Sequence, residues 1–94
     1  MKVMKMCQEI TLRNVQELMR KYYLQRDRER GLYATFTWLI EEIGELAESI
    51  LNQNKEAQEE EIADVLAWLA SLANLLSIDL EKAFKQKYLN PQPP

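Results

Sequence analysis

Histidine is missing from this 94-residue chain, and cysteine occurs once, at Cys7. Those absences exclude a Cys/His zinc site, an internal disulfide and any nucleophile activated by histidine. Turn-forming residues are nearly as scarce. Gly31 and Gly44 are the two glycines, and the three prolines all fall in the terminal stretch Pro91-Gln92-Pro93-Pro94. No segment reads as a strand between turn signals, so the predicted class is all-α. Long apolar runs are lacking too: Lys, Glu and Arg interrupt every stretch well short of the roughly 18 residues of a membrane span. The first nine residues carry lysines but no apolar stretch of a secretory signal. A cytoplasmic location is expected.

What is present is charge, unevenly spread. Fifteen acidic and twelve basic residues give a net charge of -3. Arg13, Arg20, Lys21, Arg26, Arg28 and Arg30 make the first third basic, whereas residues 41–64 carry nine acids against Lys55 alone. That acidic middle repels duplex nucleic acid, so stable nucleic-acid binding is not expected. The early arginines suit a small polyphosphate. A chain of this length makes one domain, residues 1–94, with 1–9 and 90–94 irregular, and it gains from oligomerisation because its own core is modest.

Apolar spacing predicts about four helices in an antiparallel bundle. The first runs from Thr11, a suitable N-cap, to Gln25 or a little beyond, with Leu12, Val15, Leu18, Met19 and Tyr22 as its apolar face. Arg26 to Gly31 form a polar exit. The second helix begins near Ala34 or Thr35 and ends at Leu51. Asn52-Gln53-Asn54 makes a turn, and the third helix covers Lys55 to Leu75 or Leu76. Ser77-Ile78-Asp79 breaks it, with Ser77 or Asp79 as the next N-cap, and a short fourth helix covers Leu80 to Tyr88.

Two carboxylate pairs stand out on these helices. Glu42 and Glu45 are three residues apart on the second helix, and Glu61 and Asp64 on the third. At about 100° per residue, Glu42 and Glu45 border an apolar arc of Phe36, Ile43, Ala47 and Ile50, while Glu41 and Glu48 turn toward solvent. Glu61 sits inside an apolar arc with Trp68, Leu72 and Val65, and Asp64 lies at its margin. An acid buried there without a basic partner is costly unless it is protonated or meets a cation. Packing the two helices together would gather four carboxylates, an all-oxygen set suited to Mg²⁺, with Mn²⁺ as the alternative.

The combined motif, Glu41-Glu42-Ile43-Gly44-Glu45 followed by Glu61-Ile62-Ala63-Asp64, resembles the signature of the MazG-like, all-α nucleoside triphosphate pyrophosphohydrolases. The likeness extends through Phe36–Leu46, Glu60–Leu69 and Asp79–Phe84, and the stretch from Leu18 to Gly31 is similar to the first helix of small members. The resemblance implies a helical dimer or tetramer. It also implies Mg²⁺-dependent hydrolysis of (deoxy)nucleoside triphosphates between the α and β phosphates, giving a nucleoside monophosphate and pyrophosphate. Glu42, Glu45, Glu61 and Asp64 match the metal-ligand positions. Lys87 and Asn90 match a basic segment that contacts phosphate in relatives, although the Arg- or Cys-rich extension of many relatives is lacking after Asn90.

Water is the expected nucleophile, with Glu41 or Glu45 as the base that orients or deprotonates it. Trp38 and Trp68 are either walls of a base pocket or core residues, and Arg26 and Arg30 either contact substrate or belong to a solvated turn. Lys82, Lys85 and Lys87 are further phosphate-binding candidates. The rival reading is a non-enzymatic helical dimerisation module whose acidic groove takes a basic partner.

Overall fold

A computed structural model describes residues 9–89 of the chain. Thr11 caps the first helix: its hydroxyl accepts the Asn14 N–H at 3.0 Å while the Asn14 side chain accepts the Thr11 N–H at 3.1 Å. This helix, α1 (Leu12–Arg30), outruns the predicted end at Gln25 and takes in the supposed polar exit. Gly31 stops it. With φ at 94°, a value that costs glycine little, its N–H returns to the Asp27 carbonyl at 2.9 Å. The break is a single residue, and α2 (Leu32–Leu51) starts at once.

The turn at residues 52–54 folds the chain back into α3 (Lys55–Leu76), where the Asn54 side chain accepts the Ala57 N–H at 3.1 Å. Ser77, at φ 57°, ends α3 in the left-handed region, and Asp79 caps α4 (Leu80–Phe84) by accepting the Lys82 N–H at 3.0 Å. One π-helical turn, Lys85–Leu89, follows, and this last segment leaves α3 at 97°. The described residues are all-α and contain no strand. None of their helices is long and apolar enough by itself to cross a membrane.

The third helix lies between the other two long ones, packed against α2 along its length and against α1. At the far end of α1, Gln16 ties three segments together. It donates to the Ile78 carbonyl at 2.6 Å, accepts the Leu80 N–H at 2.8 Å, and its own carbonyl takes the Asn74 amide at 3.2 Å. Arg13 adds contacts to Asp79 at 3.1 Å and Glu81 at 3.5 Å.

Among the described residues the buried apolar side chains are Leu39, Ala70 and Ala73. The face that α2 turns inward is Thr35, Leu39, Glu42, Leu46 and Ser49, all buried or half-buried at alternating four- and three-residue spacing. This corrects the expected orientation. The arc of Phe36, Ile43, Ala47 and Ile50 is exposed, as are Leu18 and Tyr22 of α1. On α3 the buried positions are small, Ala70, Ser71, Ala73 and Asn74, which lets the neighbouring helices approach that surface closely. In an antiparallel pair, residues one place after each packed seam fall on the same side. That side shows Phe36, Ile40, Ile43 and Ile50 of α2 and Ile62, Leu69 and Leu76 of α3, every one of them exposed. With α1 on the other side, no long helix among the described residues covers it.

Candidate metal centre and adjoining cavity

Inward Glu42 and exposed Glu45 of α2 meet half-buried Glu61 of α3. Glu42, Glu45 and Glu61 each offer an oxygen, and the three oxygens lie within 4.8 Å of one another. Glu42 and Glu61 are half-buried, and each has one oxygen, Oε1, that is out of contact with solvent and lacks a hydrogen-bond partner. The ion pairs among the described residues involve Arg13, Arg30 and Lys85, none of them with these glutamates.

Like charges in such a space cannot all be held without cost. Burial, reinforced by the charges of Glu45, Asp64 and Glu61, pushes the Glu42 carboxyl above the ordinary value of 4.5. Burial also raises Glu61, helped by Glu45 and Asp64. A proton or a cation relieves this repulsion. The donors are all hard oxygens, two of them orphaned in the interior, so the residues fit a hard divalent cation such as Mg²⁺ better than a soft metal. Asp64 is exposed and stands outside the group of three, near enough that its charge acts on both raised glutamates. Glu41 is exposed and also outside that group.

Two hollows lie in this region, and only the first has residues of the cluster in its wall. A polar one of about 240 Å³ is lined by Glu45, Glu48, Ser49 and Glu61 together with the residues of the α2–α3 turn. A larger one of about 420 Å³ lies between α1 and α3, with Asp64, Trp68, Arg26, Arg30, Asp27 and Tyr23 among its walls. Trp38 stacks on Trp68 with ring centroids 6.3 Å apart and planes at 27°. The Arg30 guanidinium lies 4.8 Å from the Trp68 ring centre. Arg26 and Arg30, for which the sequence left open substrate contact or a solvated turn, lie on the C-terminal part of helix α1 and line the same cavity as Asp64.

Asp27 and Thr35 were missed. Asp27 reads as one more charge in a polar run, yet it is 2% exposed, and Thr35 is wholly buried. The signal available was spacing: Leu12, Gln16, Met19, Tyr23 and Asp27 continue one helical stripe across the supposed exit.

Lys87 is not brought to the larger cavity. Its segment starts where Arg13 meets Asp79, about 25 Å along α1 from Arg30 at 1.5 Å per residue. Lys82 and Lys85 belong to the same segment, with Lys85 3.7 Å from Glu81. Asn90 lies outside the described residues.

Residues 30–90 match the MazG nucleotide pyrophosphohydrolase domain, a span that takes in α2, α3 and α4. No curated protein matches the chain.

Proposed function

The chain belongs to the MazG nucleotide pyrophosphohydrolase family, and from that premise we propose that it hydrolyses (deoxy)nucleoside triphosphates between the α and β phosphates, releasing a nucleoside monophosphate and pyrophosphate. One observation carries the reading: two interior carboxylate oxygens, on Glu42 and Glu61, have no partner and sit in a three-glutamate group that makes no ion pair among the described residues. A rigid acidic groove for a basic protein partner would not need its charges half-buried.

Glu42, Glu45 and Glu61 would hold Mg²⁺ or Mn²⁺, with Asp64 completing the set from the cavity side. A bound divalent cation would neutralise triphosphate charge and acidify a water molecule. Of the two candidate bases, Glu45 is favoured over Glu41, since Glu45 faces the cluster and a hollow open to water. It would take the proton as the water oxygen bonds to phosphorus and the bridging P–O bond of the anhydride breaks. Arg26 and Arg30 lie where the cavity meets Asp64 and would bind the anionic chain, while Trp38 and Trp68 would flank the base.

The exposed apolar side of α2 and α3 supports a homodimer, or a tetramer built from dimers, as the working form. A second copy would also be the source of a lysine from the last segment for a site that its own protomer leaves without one.

Pyrophosphate release from a panel of ribo- and deoxyribonucleoside triphosphates, with Mg²⁺ or Mn²⁺, tests the proposal. Glu42→Gln, Glu61→Gln and Asp64→Asn are each expected to lose release while staying helical. Absence of release from every triphosphate, together with no effect of Mg²⁺ on melting, would favour the dimerisation module.

A further inference from the structure

The last turn of α1 and the first of α2 meet across the single residue Gly31, and a buried polar group is built at that junction. Arg30 Nη1 donates to Asp27 Oδ1 at 2.8 Å and to Thr35 Oγ1 at 3.3 Å. Trp68 of α3 lies under the same guanidinium, 4.8 Å from its carbon to the ring centre. Three helices therefore hold one cation in place. Asp27 is 2% exposed and Thr35 fully buried, whereas the Arg30 side chain keeps a quarter of its surface and lines the cavity beside Asp64.

As a purely structural bridge this is a poor arrangement. An interior carboxylate loses its hydration, and here the loss is only half compensated, since Asp27 Oδ2 has no partner. An apolar trio of similar volume would pack the junction without that cost. What the arrangement does achieve is a guanidinium with little freedom left. One nitrogen is committed inward to two oxygens, and the remaining N–H groups are available for the cavity. Trp68 is engaged by the same cation, which leaves Trp38, 47% exposed, as the freer aromatic surface.

We propose that Asp27 and Thr35 are positioning residues that fix Arg30 against Trp68, making the fixed guanidinium the subsite for the anionic chain of a nucleoside triphosphate lying beside Asp64. The assignment rests on the pyrophosphohydrolase reading for the identity of the ligand. Asp27 and Thr35 act only through Arg30; neither touches substrate.

Steady-state kinetics on the full chain with Mg²⁺ and whichever triphosphate of the panel it hydrolyses fastest, and melting curves of the same samples, test this. Asp27→Asn and Arg30→Lys are each expected to raise KM about tenfold with kcat within about twofold of wild type. Thr35→Val, which keeps the volume and removes the acceptor, should raise KM by a smaller factor. The Asp27→Asn/Arg30→Lys double variant should be no worse than Arg30→Lys alone, because both changes act on one group. Binding is followed separately by tryptophan fluorescence with Mg²⁺ and non-hydrolysable α,β-methylene analogues of the same panel, so that a wild type that binds one of them without hydrolysing any triphosphate would overturn the pyrophosphohydrolase reading and still test the positioning role. An unchanged KM or binding constant in a folded Asp27→Asn or Thr35→Val protein would overturn the positioning role alone. So would multiplicative losses in the double variant, or a lowered Tm with unaltered KM. A wild type that binds none of the analogues overturns both.

Discussion

Replacing Ile40 by lysine is expected to separate two copies of the chain while leaving each one folded. Ile40 lies in the middle of the uncovered α2 face and makes no part of the inward seam. The seven large apolar residues on that side of the α2–α3 pair range from 39% exposed at Leu69 to 58% at Ile62. Fully burying such a side chain contributes roughly 1.5–3 kcal/mol, so covering the exposed half of all seven is worth roughly 5–10 kcal/mol per copy. A symmetric pair gains about twice that, against an association cost of roughly 4–15 kcal/mol. Self-pairing therefore wins over most of that range, and pairing with a polar surface does not.

The isoleucine accounts for roughly 1.5–3 kcal/mol of the total when counted in both copies, which corresponds to a dissociation constant raised roughly 10- to 150-fold. Desolvation of the ammonium adds to the loss. Sedimentation equilibrium over a concentration series measures the constant, with Ile40→Val as the conservative control and circular dichroism to verify helicity. The reasoning is refuted if the wild type stays monomeric across the micromolar range with a cooperative melt. It is also refuted if Ile40→Lys associates as tightly as its parent.

Glu42→Gln is expected to reduce pyrophosphate release at least about 100-fold and to remove Mg²⁺-dependent stabilisation, which for the wild type at 100 times its Kd is about 2.7 kcal/mol, or roughly 10–20 °C in Tm. Calorimetric scans with and without Mg²⁺ decide it, and a variant that is still stabilised by Mg²⁺ refutes the ligand role. Without divalent cation, Tm should fall as pH rises from the ordinary glutamate value of 4.5 through the raised values of Glu42 and Glu61. Over that window the native state keeps protons that the unfolded chain has released, so stability declines with pH. Saturating Mg²⁺ should flatten the decline, and its affinity should climb across the same window; a flat metal-free profile counts against the shared site. Asn54→Ala removes the α3 cap and should cost about 1 kcal/mol, seen as a Tm lower by roughly 4–8 °C with nucleotide affinity unchanged.

Much of the fold was legible because its signals are local. Thr11 and Asp79 cap helices through bonds to backbone three residues on, and the turn at 52–54 needs no distant partner. The two acid pairs were legible for a similar reason, since an i,i+3 spacing already puts both members of each pair on one face. The failures share a cause. Hydrophobicity identified Phe36, Ile43 and Ile50 as core, but a helix with two adjacent seams does not say which one its own chain covers. Asp27 read as one more charge of a polar exit because charge was counted without its partner, and it is buried although Arg26, Arg28 and Glu29 around it are exposed.

Composition and spacing alone determined that this chain is helical, that it has no histidine-based chemistry and that acids recur in register on its second and third helices. Which acids meet was decided by the packing of α2 on α3, which brings Glu42, Glu45 and Glu61 within 4.8 Å and leaves Asp64 at the cavity rim. The tertiary structure alone also turned Arg30 into a fixed cation and exposed the most apolar face. Both depend on how three helices are rotated about their axes, and that rotation is set by which face of each packs against the small buried residues of α3.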